Sequence, residues 1–447
     1  MTLPTIIALA TAPIKSGVAV LRVSGEQAPS VLSALGVTLP RPREATLATL
    51  RHPQDRSVID RALVLYFPAP HSFTGEDVVE LHVHGSRAVT HALLSLITTL
   101  PSIRLAEAGE FSRRAFLNGK MDLVEAEGLA DLIDAETRAQ MQQALRQMQG
   151  EVGAAYESLR GRIIHIMALL EAYIDFPDED IPPHVVSQAG KEITSLITHI
   201  RGLLDDNHRA ERLREGIEIV ILGAPNAGKS TLLNALAKRE VAIVSPIAGT
   251  TRDVLEVHLD LAGYPVTLID TAGLHELEEK GDATRIEAEG MRRARDRAAN
   301  AALVLELFAT GTLPEHYSNS LGLEAKNYLL VRSKCDLASA KTSTEHHGEI
   351  LAISAQNGEG IESLLQLLSQ HIAQIYHAQE PSIITRTRHR TALTHCLKHL
   401  EQYQSLKPLE LNAEHLRLGA RELASITGHI SVDHVLDVVF SSFCIGK

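Results

Sequence analysis

The stretch Gly223-Ala-Pro-Asn-Ala-Gly-Lys-Ser230 has the residue types and spacing that hold phosphate. Its glycines let successive backbone N–H groups turn inward around phosphate oxygens, and the Leu-rich helix expected after it points its positive end at them. Lys229 is placed to reach the β- and γ-phosphates, and Ser230 to ligate Mg²⁺. Asn226, Ala227, Gly228 and Thr231 complete the cradle. A glycine turn that binds nothing is a poor account, because an apolar strand precedes the loop and a helix follows it in the required order.

Four later segments choose the nucleotide. In Ser245-Pro246-Ile247-Ala248-Gly249-Thr250-Thr251, the two threonine hydroxyls are expected to meet the γ-phosphate and Mg²⁺, so Thr251 joins Ser230 as a metal ligand. Asp270-Thr271-Ala272-Gly273 ends an apolar strand: Asp270 can hold the metal through water, and the Gly273 N–H can sense the γ-phosphate. Ser333-Lys334-Cys335-Asp336 is a variant of the Asn-Lys-x-Asp guanine reader, with Ser333 where the asparagine usually stands. Asp336 would accept hydrogen bonds from guanine N1 and N2, which adenine cannot supply. Ser354-Ala355-Gln356 then offers amides to guanine O6. Together these segments predict GTP binding and hydrolysis rather than ATP chemistry.

Leu274 follows Asp270-Thr-Ala-Gly, and an aliphatic side chain cannot orient a water as the glutamine of Ras-like enzymes does. Another group must stabilise the transition state, a task worth about 10³–10⁵ in rate when an arginine finger performs it. The side-chain oxygen of Asn226 could coordinate a monovalent cation near the β/γ bridge, completed by carbonyls of the 245–250 loop.

The elements that must position these groups change character along the chain. Residues 1–118 carry short β-branched runs (IIALA, GVAVLRVSG, RALVLYF, DVVELHVHG) and a few helical stretches, which predicts an α+β domain. Residues 119–214 have apolar positions at i, i+3 and i+4, as do 378–447, and both predict helices. Between them, over 215–377, strands and helices alternate as in a parallel α/β sheet. The expected architecture is therefore multidomain: an α+β N-terminal domain, an all-α central domain and an inserted α/β Ras-like P-loop G domain.

Composition narrows the partners. Aromatics make up 4% of the 447 residues and there is no Trp, which argues against single-strand binding by base stacking. The formal net charge is −12, so an RNA partner would need a local basic patch or a basic partner protein. Arg113-Arg114 and residues 386–390 are the best such patches, with a solvated face the favoured reading of each. Cys335, Cys396 and Cys444 form no disulfide framework and no CxxC metal pair, which fits a reducing cytosol. The N-terminus lacks a basic n-region and no 18-residue apolar run occurs, so a cytoplasmic protein without a membrane span is expected. His82 and His84 alternate on one strand with no third ligand nearby, which favours a structural role. The final Cys444-Ile-Gly-Lys447 does not match a prenylation box, because glycine and lysine fill its last two places.

GxPNAGKS, IAGTTRD, DTAGL and the terminal FCIGK together resemble the MnmE (TrmE) family of tRNA-modification GTPases, within the TrmE-Era-Septin-like class of P-loop GTPases. The resemblance runs along the whole chain. It implies K⁺ held by Asn226, Ser245, Ile247 and Thr250, and hydrolysis activated when two G domains meet. It implies that Glu287, in RIEAEGMRRA, orients the attacking water. It further implies a 5-formyl- or 5,10-methylene-tetrahydrofolate bound by Arg22, Glu80, Lys120 and Lys447, with Cys444 at the same pocket acting in the modification. By the same resemblance the chain forms a homodimer and joins an FAD-carrying MnmG-type flavoprotein in a heterotetramer. Together they would add a carboxymethylaminomethyl or aminomethyl group to C5 of the wobble uridine of certain tRNAs. A regulatory or ribosome-assembly GTPase shares the nucleotide motifs and remains the alternative, as does a plain switch whose folate site is vestigial.

Overall fold

The computed structural model describes residues 3–175, 184–206, 208–239, 241–243, 256–270, 292, 295–312, 328–337, 350–377, 382–404, 408–430, 433–441, 443 and 446. The chain divides into two compact units: Met1–Ala130 with Leu145–Thr198 and Ala392–Lys447, and Asp131–Ala144 with His199–Thr391.

In the first unit the β-branched runs form strands β1 (Thr5–Leu9), β2 (Ser16–Ser24), β3 (Thr46–Arg51), β4 (Val58–Phe67) and β5 (Val78–Gly85), with the short β6 (Ile103–Leu105). They build one six-stranded sheet in the order β3-β4-β5-β2-β1-β6. Its pairs are antiparallel except β1 with β6. The strand period of two puts Leu21, Val23, Leu81 and Val83 on one face, in a core with Leu32 of helix α1 (Ala28–Ala34) and with Leu93 and Ile97 of α2 (Arg87–Ile97). Ile6 and Ala8 point to the other face and pack with Phe111 of α3 (Glu110–Leu117) and with Phe73. Because both faces of β1 are covered, four of its five residues are buried and its sequence reads as a continuous apolar run.

Helix α4 (Leu123–Asp134) opens on a reciprocal cap. The Asp122 carboxylate accepts from the Glu125 N–H at 2.7 Å, and the Glu125 carboxylate accepts from the Asp122 N–H at 2.8 Å. After α5 (Arg138–Met148) come the long α6 (Glu151–Asp175), α7 (His184–Leu204) and α8 (Arg209–Glu215). Further helices follow the α/β segment at the C-terminal end. Of these, Leu409–Thr427 packs along α6, where Thr427 Oγ1 donates to Glu157 at 2.9 Å. Helix Asp433–Ser441 lays Leu436, Val439 and Phe440 against Leu123, Ala126 and Ala130 of α4. Segments from both sides of the α/β stretch therefore share this unit.

The second unit is built on a sheet of the order β12-β11-β10-β7-β9-β8. Its strands are β7 (Ile217–Gly223), β8 (Glu256–Leu261), β9 (Tyr264–Asp270), β10 (Leu303–Ala309), β11 (Tyr328–Ser333) and β12 (Leu351–Ala352). All pairs are parallel except β8 with β9 at one edge. Helices α9 (Lys229–Leu236) and α10 (Ile361–His377) contribute Leu232, Leu236, Leu364 and Leu368 to the core beside Ile219, Leu268, Leu305 and Val331. At the root of this unit Arg390 donates to Asp206 at 2.7 Å, to Glu211 at 2.9 Å and to the Leu204 carbonyl at 2.9 Å. Ser382 adds a hydrogen bond to Asp206 at 2.5 Å. Among the described residues no helix is long and apolar enough to cross a membrane.

Candidate nucleotide site

Strand β7 delivers the phosphate loop at the carboxyl end of the parallel sheet, where α/β folds bind ligands. Gly223 begins the loop at φ +150°, and a Cβ there would overlap the Leu307 carbonyl on β10. Only glycine lets the two strands approach so closely. Asn226 takes the left-handed conformation at φ 65°, which asparagine tolerates better than most residues. The loop feeds α9, whose first residue is Lys229.

Within that cradle the Lys229 ammonium donates to the Gly223 carbonyl at 2.8 Å and to the Ala224 carbonyl at 3.1 Å. Burial pushes its pKa below the usual lysine range, although the Asp270 carboxylate acts in the opposite sense. Such a desolvated cation is suited to a multiply charged anion. Ser230 Oγ donates to Asp270 Oδ2 at 2.7 Å, and Asp270 is fully buried at the end of β9. A hydroxyl and a carboxylate brought together beside the phosphate loop are the hard oxygen donors that Mg²⁺ prefers.

The base side is a cleft of about 230 Å³ lined by Gly228, Thr231, Ser333, Lys334, Asp336 and Ala355 among others. Lys334 has φ 57°, an uncommon conformation for a lysine, and a single 3₁₀ turn (Cys335–Leu337) presents Asp336 to solvent. The Cys335 N–H donates to the Ile353 carbonyl at 3.1 Å. Ser354 is fully buried and closes its own turn, its N–H donating to the Glu359 carbonyl at 2.9 Å. Ser333 Oγ donates to the Ala227 carbonyl at 2.5 Å, a link from the 333–336 turn to the phosphate loop that its position in the sequence does not reveal.

In the first unit, sheet register places Arg22 directly across from Glu80. The Arg22 Nε donates to Glu80 Oε1 at 2.9 Å, and Nη2 stands 2.9 Å from the same oxygen. The guanidinium lies 5.5 Å from the Phe73 ring centre and 5.9 Å from that of Phe111. Nothing local in the sequence ties either ring to Arg22. Lys120 Nζ donates to the Pro70 carbonyl at 3.0 Å and lies against Gly75, in the segment that carries Phe73. Gly446 sits on the end of β1: at φ +101°, a Cβ there would overlap the Leu9 carbonyl. Gly446 is thus seated beside the strand pair that carries Arg22.

Ser245, Pro246, Ile247, Ala248, Gly249, Thr250 and Thr251 lie outside the described residues, as do Thr271, Ala272, Gly273, Glu287, Cys444 and Lys447. The two basic runs, expected as solvated faces or as an RNA-facing patch, are largely occupied by acidic partners. Arg114 is 3% exposed and paired with Glu76 at 2.9 Å, and Arg113 pairs with Asp437 at 3.2 Å. Arg386 pairs with Asp131 at 2.6 Å, Arg390 is held by Asp206 and Glu211, and His389 is fully buried. Arg114, Arg386 and Arg390 are struts because acidic side chains distant in sequence fold onto them, whereas the Arg113–Asp437 pair lies at the surface. His82 Nε2 lies 3.1 Å from Glu80 Oε2 and His84 Nδ1 lies 2.7 Å from Asp60, a structural use of both rings. No group of three or more potential metal ligands of the His, Cys, Asp and Glu types occurs among the described residues.

A buried lysine at the head of a helix, a serine–aspartate pair beside it and an exposed aspartate in the adjoining cleft define a P-loop GTPase site on a Ras-like α/β sheet. Residues 5–120 match the model of the GTP-binding protein TrmE N-terminus, and residues 123–444 that of the MnmE helical domain. The tRNA modification GTPase MnmE of Parvibaculum lavamentivorans is 50% identical over 448 residues, covering 99% of this chain and 100% of that one. The tRNA modification GTPase MnmE of Paramagnetospirillum magneticum is 49% identical over 445 residues, with 99% of each chain covered. That of Rhodospirillum rubrum is 47% identical over 461 residues, with 100% of each covered. The chain belongs to the MnmE family of tRNA modification GTPases.

Proposed function

We propose that this chain is a cytoplasmic, K⁺-activated GTP hydrolase acting in tRNA modification. With an MnmG-type FAD flavoprotein it adds a carboxymethylaminomethyl or aminomethyl group to C5 of a wobble uridine. The observation that carries the nucleotide half is the Lys229, Ser230 and Asp270 arrangement, set in one unit with Asp336. In this reading 215–377 is the G domain, 119–214 and 378–447 form the helical domain, and 1–118 binds folate and makes the homodimer.

Lys229 exchanges two loop carbonyls for the β- and γ-phosphate oxygens, and the amides of residues 226–231 hold the remaining phosphate charge. Ser230 and Asp270, with Thr251, would hold Mg²⁺, and Asn226 with the carbonyls of Ser245, Ile247 and Thr250 would hold K⁺. Held by these residues, the two cations would supply positive charge to offset that developing between the β- and γ-phosphates. Glu287 orients the attacking water. Asp336 selects guanine.

The N-terminal half rests on the Arg22–Glu80 pair. A guanidinium between two aromatic rings, hydrogen-bonded to a carboxylate, suits a flat heterocycle with a donor edge and an anionic tail. Arg22, Glu80, Lys120 and Lys447 would hold a tetrahydrofolate derivative, which supplies the one-carbon unit when bound. Cys444 is assigned to the modification step.

Three measurements test the proposal. Deleting the gene should remove the modified wobble nucleoside from total tRNA; an unchanged nucleoside profile refutes the tRNA role. GTP turnover in KCl should exceed that in NaCl, and equal rates remove the cation role of Asn226. Calorimetry with 5-formyltetrahydrofolate should give binding heat. Its absence favours a regulatory GTPase.

A further inference from the structure

We infer that Ser333 makes no contact with the base and instead ties the guanine-reading turn to the phosphate loop, so that the site selects guanine by its Watson–Crick edge alone and accepts a guanine nucleotide lacking N7. The inference rests on the reading of this cleft as the guanine site and sharpens its specificity.

A serine hydroxyl carries one proton. Here that proton points inward: Ser333 Oγ donates to the Ala227 carbonyl at 2.5 Å, with the Phe308 carbonyl a more distant acceptor at 3.3 Å. The residue is 4% exposed. Guanine N7 is only an acceptor, so it can be bound only by a donor. The remaining lone pairs of Oγ can offer it nothing. For the hydroxyl to turn toward N7, the buried Ala227 carbonyl would lose this hydrogen bond.

The neighbouring main chain opposes such a turn. The Ser333 carbonyl accepts from the Thr310 N–H at 3.0 Å and from Thr310 Oγ1 at 2.8 Å. Two residues on, the Cys335 N–H is held by the Ile353 carbonyl. Ser333 is therefore fixed on both sides, and its side chain links Ala227, within the phosphate loop, to the turn that presents Asp336. An asparagine amide at this position would have two protons, enough for a carbonyl and for N7 together. Serine retains the first function and lacks the second. Asp336, with acceptors only, is left to read N1–H and the N2 amino group.

The test is displacement of a fluorescent N-methylanthraniloyl-GDP from the full-length chain by GTP, 7-deaza-GTP and ATP, with Mg²⁺ present. The expected result is that GTP and 7-deaza-GTP compete within about twofold of one another, while ATP is weaker by about a hundredfold or more because Asp336 is left unpaired. A preference for GTP over 7-deaza-GTP of about tenfold, the size of one lost hydrogen bond, overturns the inference while leaving the guanine site intact. Failure of GTP itself to compete overturns the guanine-site reading instead. The variant Ser333→Ala should weaken GTP and 7-deaza-GTP by the same factor, about tenfold, leaving their ratio unchanged. If GTP loses more than 7-deaza-GTP, the hydroxyl was reading N7. If neither loses affinity and only the melting temperature falls, the tether has no part in binding.

Discussion

Lys229 is held by two loop carbonyls at 2.8 and 3.1 Å while burial disfavours its charge, so its best available partner is a phosphate. Removing it in Lys229→Ala should cost about 1.5–3 kcal/mol of GTP affinity, the range for a hydrogen bond to a charged group, or roughly ten- to a hundredfold in Kd by fluorescent-nucleotide titration. Asp336 stands exposed at its turn, so its role is decided by the base that meets it. In Asp336→Asn, the new amide donor opposes the guanine N2 amino group and matches the 2-oxo group of xanthine. Competition binding should then show a shift from GTP toward xanthosine triphosphate.

Away from the nucleotide, burial alone would raise the Glu110 carboxyl, but hydrogen bonds from Arg104 and the Glu107 N–H and the nearby Arg114 hold it below the ordinary range. A depressed carboxylate contributes stability that is present above its unfolded pKa and lost as pH falls through the folded one. The difference in melting temperature between wild type and Glu110→Gln should therefore be largest near neutral pH and shrink toward pH 3.

At the level of elements, the phosphate loop depends on the close passage of β7 and β10. Gly223→Ala adds a Cβ where the Leu307 carbonyl already stands, at a φ that side chains rarely adopt. Thermal unfolding should show a loss of about 2 kcal/mol or more together with loss of nucleotide binding. The cap of α4 is simpler: Asp122→Ala should destabilise by about 0.5–2 kcal/mol without altering GTP turnover.

These elements differ in how far sequence reveals them. The strands of the α/β sheet are legible because burial on both faces makes them continuous apolar runs bounded by turn residues, as in IEIVILG and LVLELFA. Lys229 and Ser230 stand out from spacing alone, and the structure sets them at the head of α9 beside Asp270. The aromatic flanks of Arg22 do not, because Phe73 and Phe111 reach it only through the fold of the sheet and α3. Arg114 is hidden from a sequence reading for a related reason. Its partner Glu76 lies 38 residues away, so a pair of adjacent arginines read as a surface patch when one is a core strut. The Ser333 tether spans 106 residues, and its sequence signal was only the missing asparagine.

At the scale of the whole molecule, Arg390 gathers Asp206, Glu211 and the Leu204 carbonyl, joining the chain entering the α/β segment to the chain leaving it. Arg390→Ala leaves two carboxylates with side-chain exposures of 6% and 8% without this cation. Denaturant titration should show a loss of about 3–5 kcal/mol, the cost of breaking a buried pair from one side. The phosphate loop lies elsewhere in the unit, so GTP affinity of the folded variant should change little.

The seat of Gly446 on Leu9 joins residues from almost opposite ends of the sequence. Loop-closure entropy opposes so non-local a contact until the sheet and helices between its ends already exist. On refolding the tail should therefore settle last, and in mild urea it should let go first. On the proposed folate reading, chains caught at that stage would have the Lys229–Asp270 arrangement formed before Gly446 is seated, so a refolded preparation should regain GTP turnover ahead of tRNA modification.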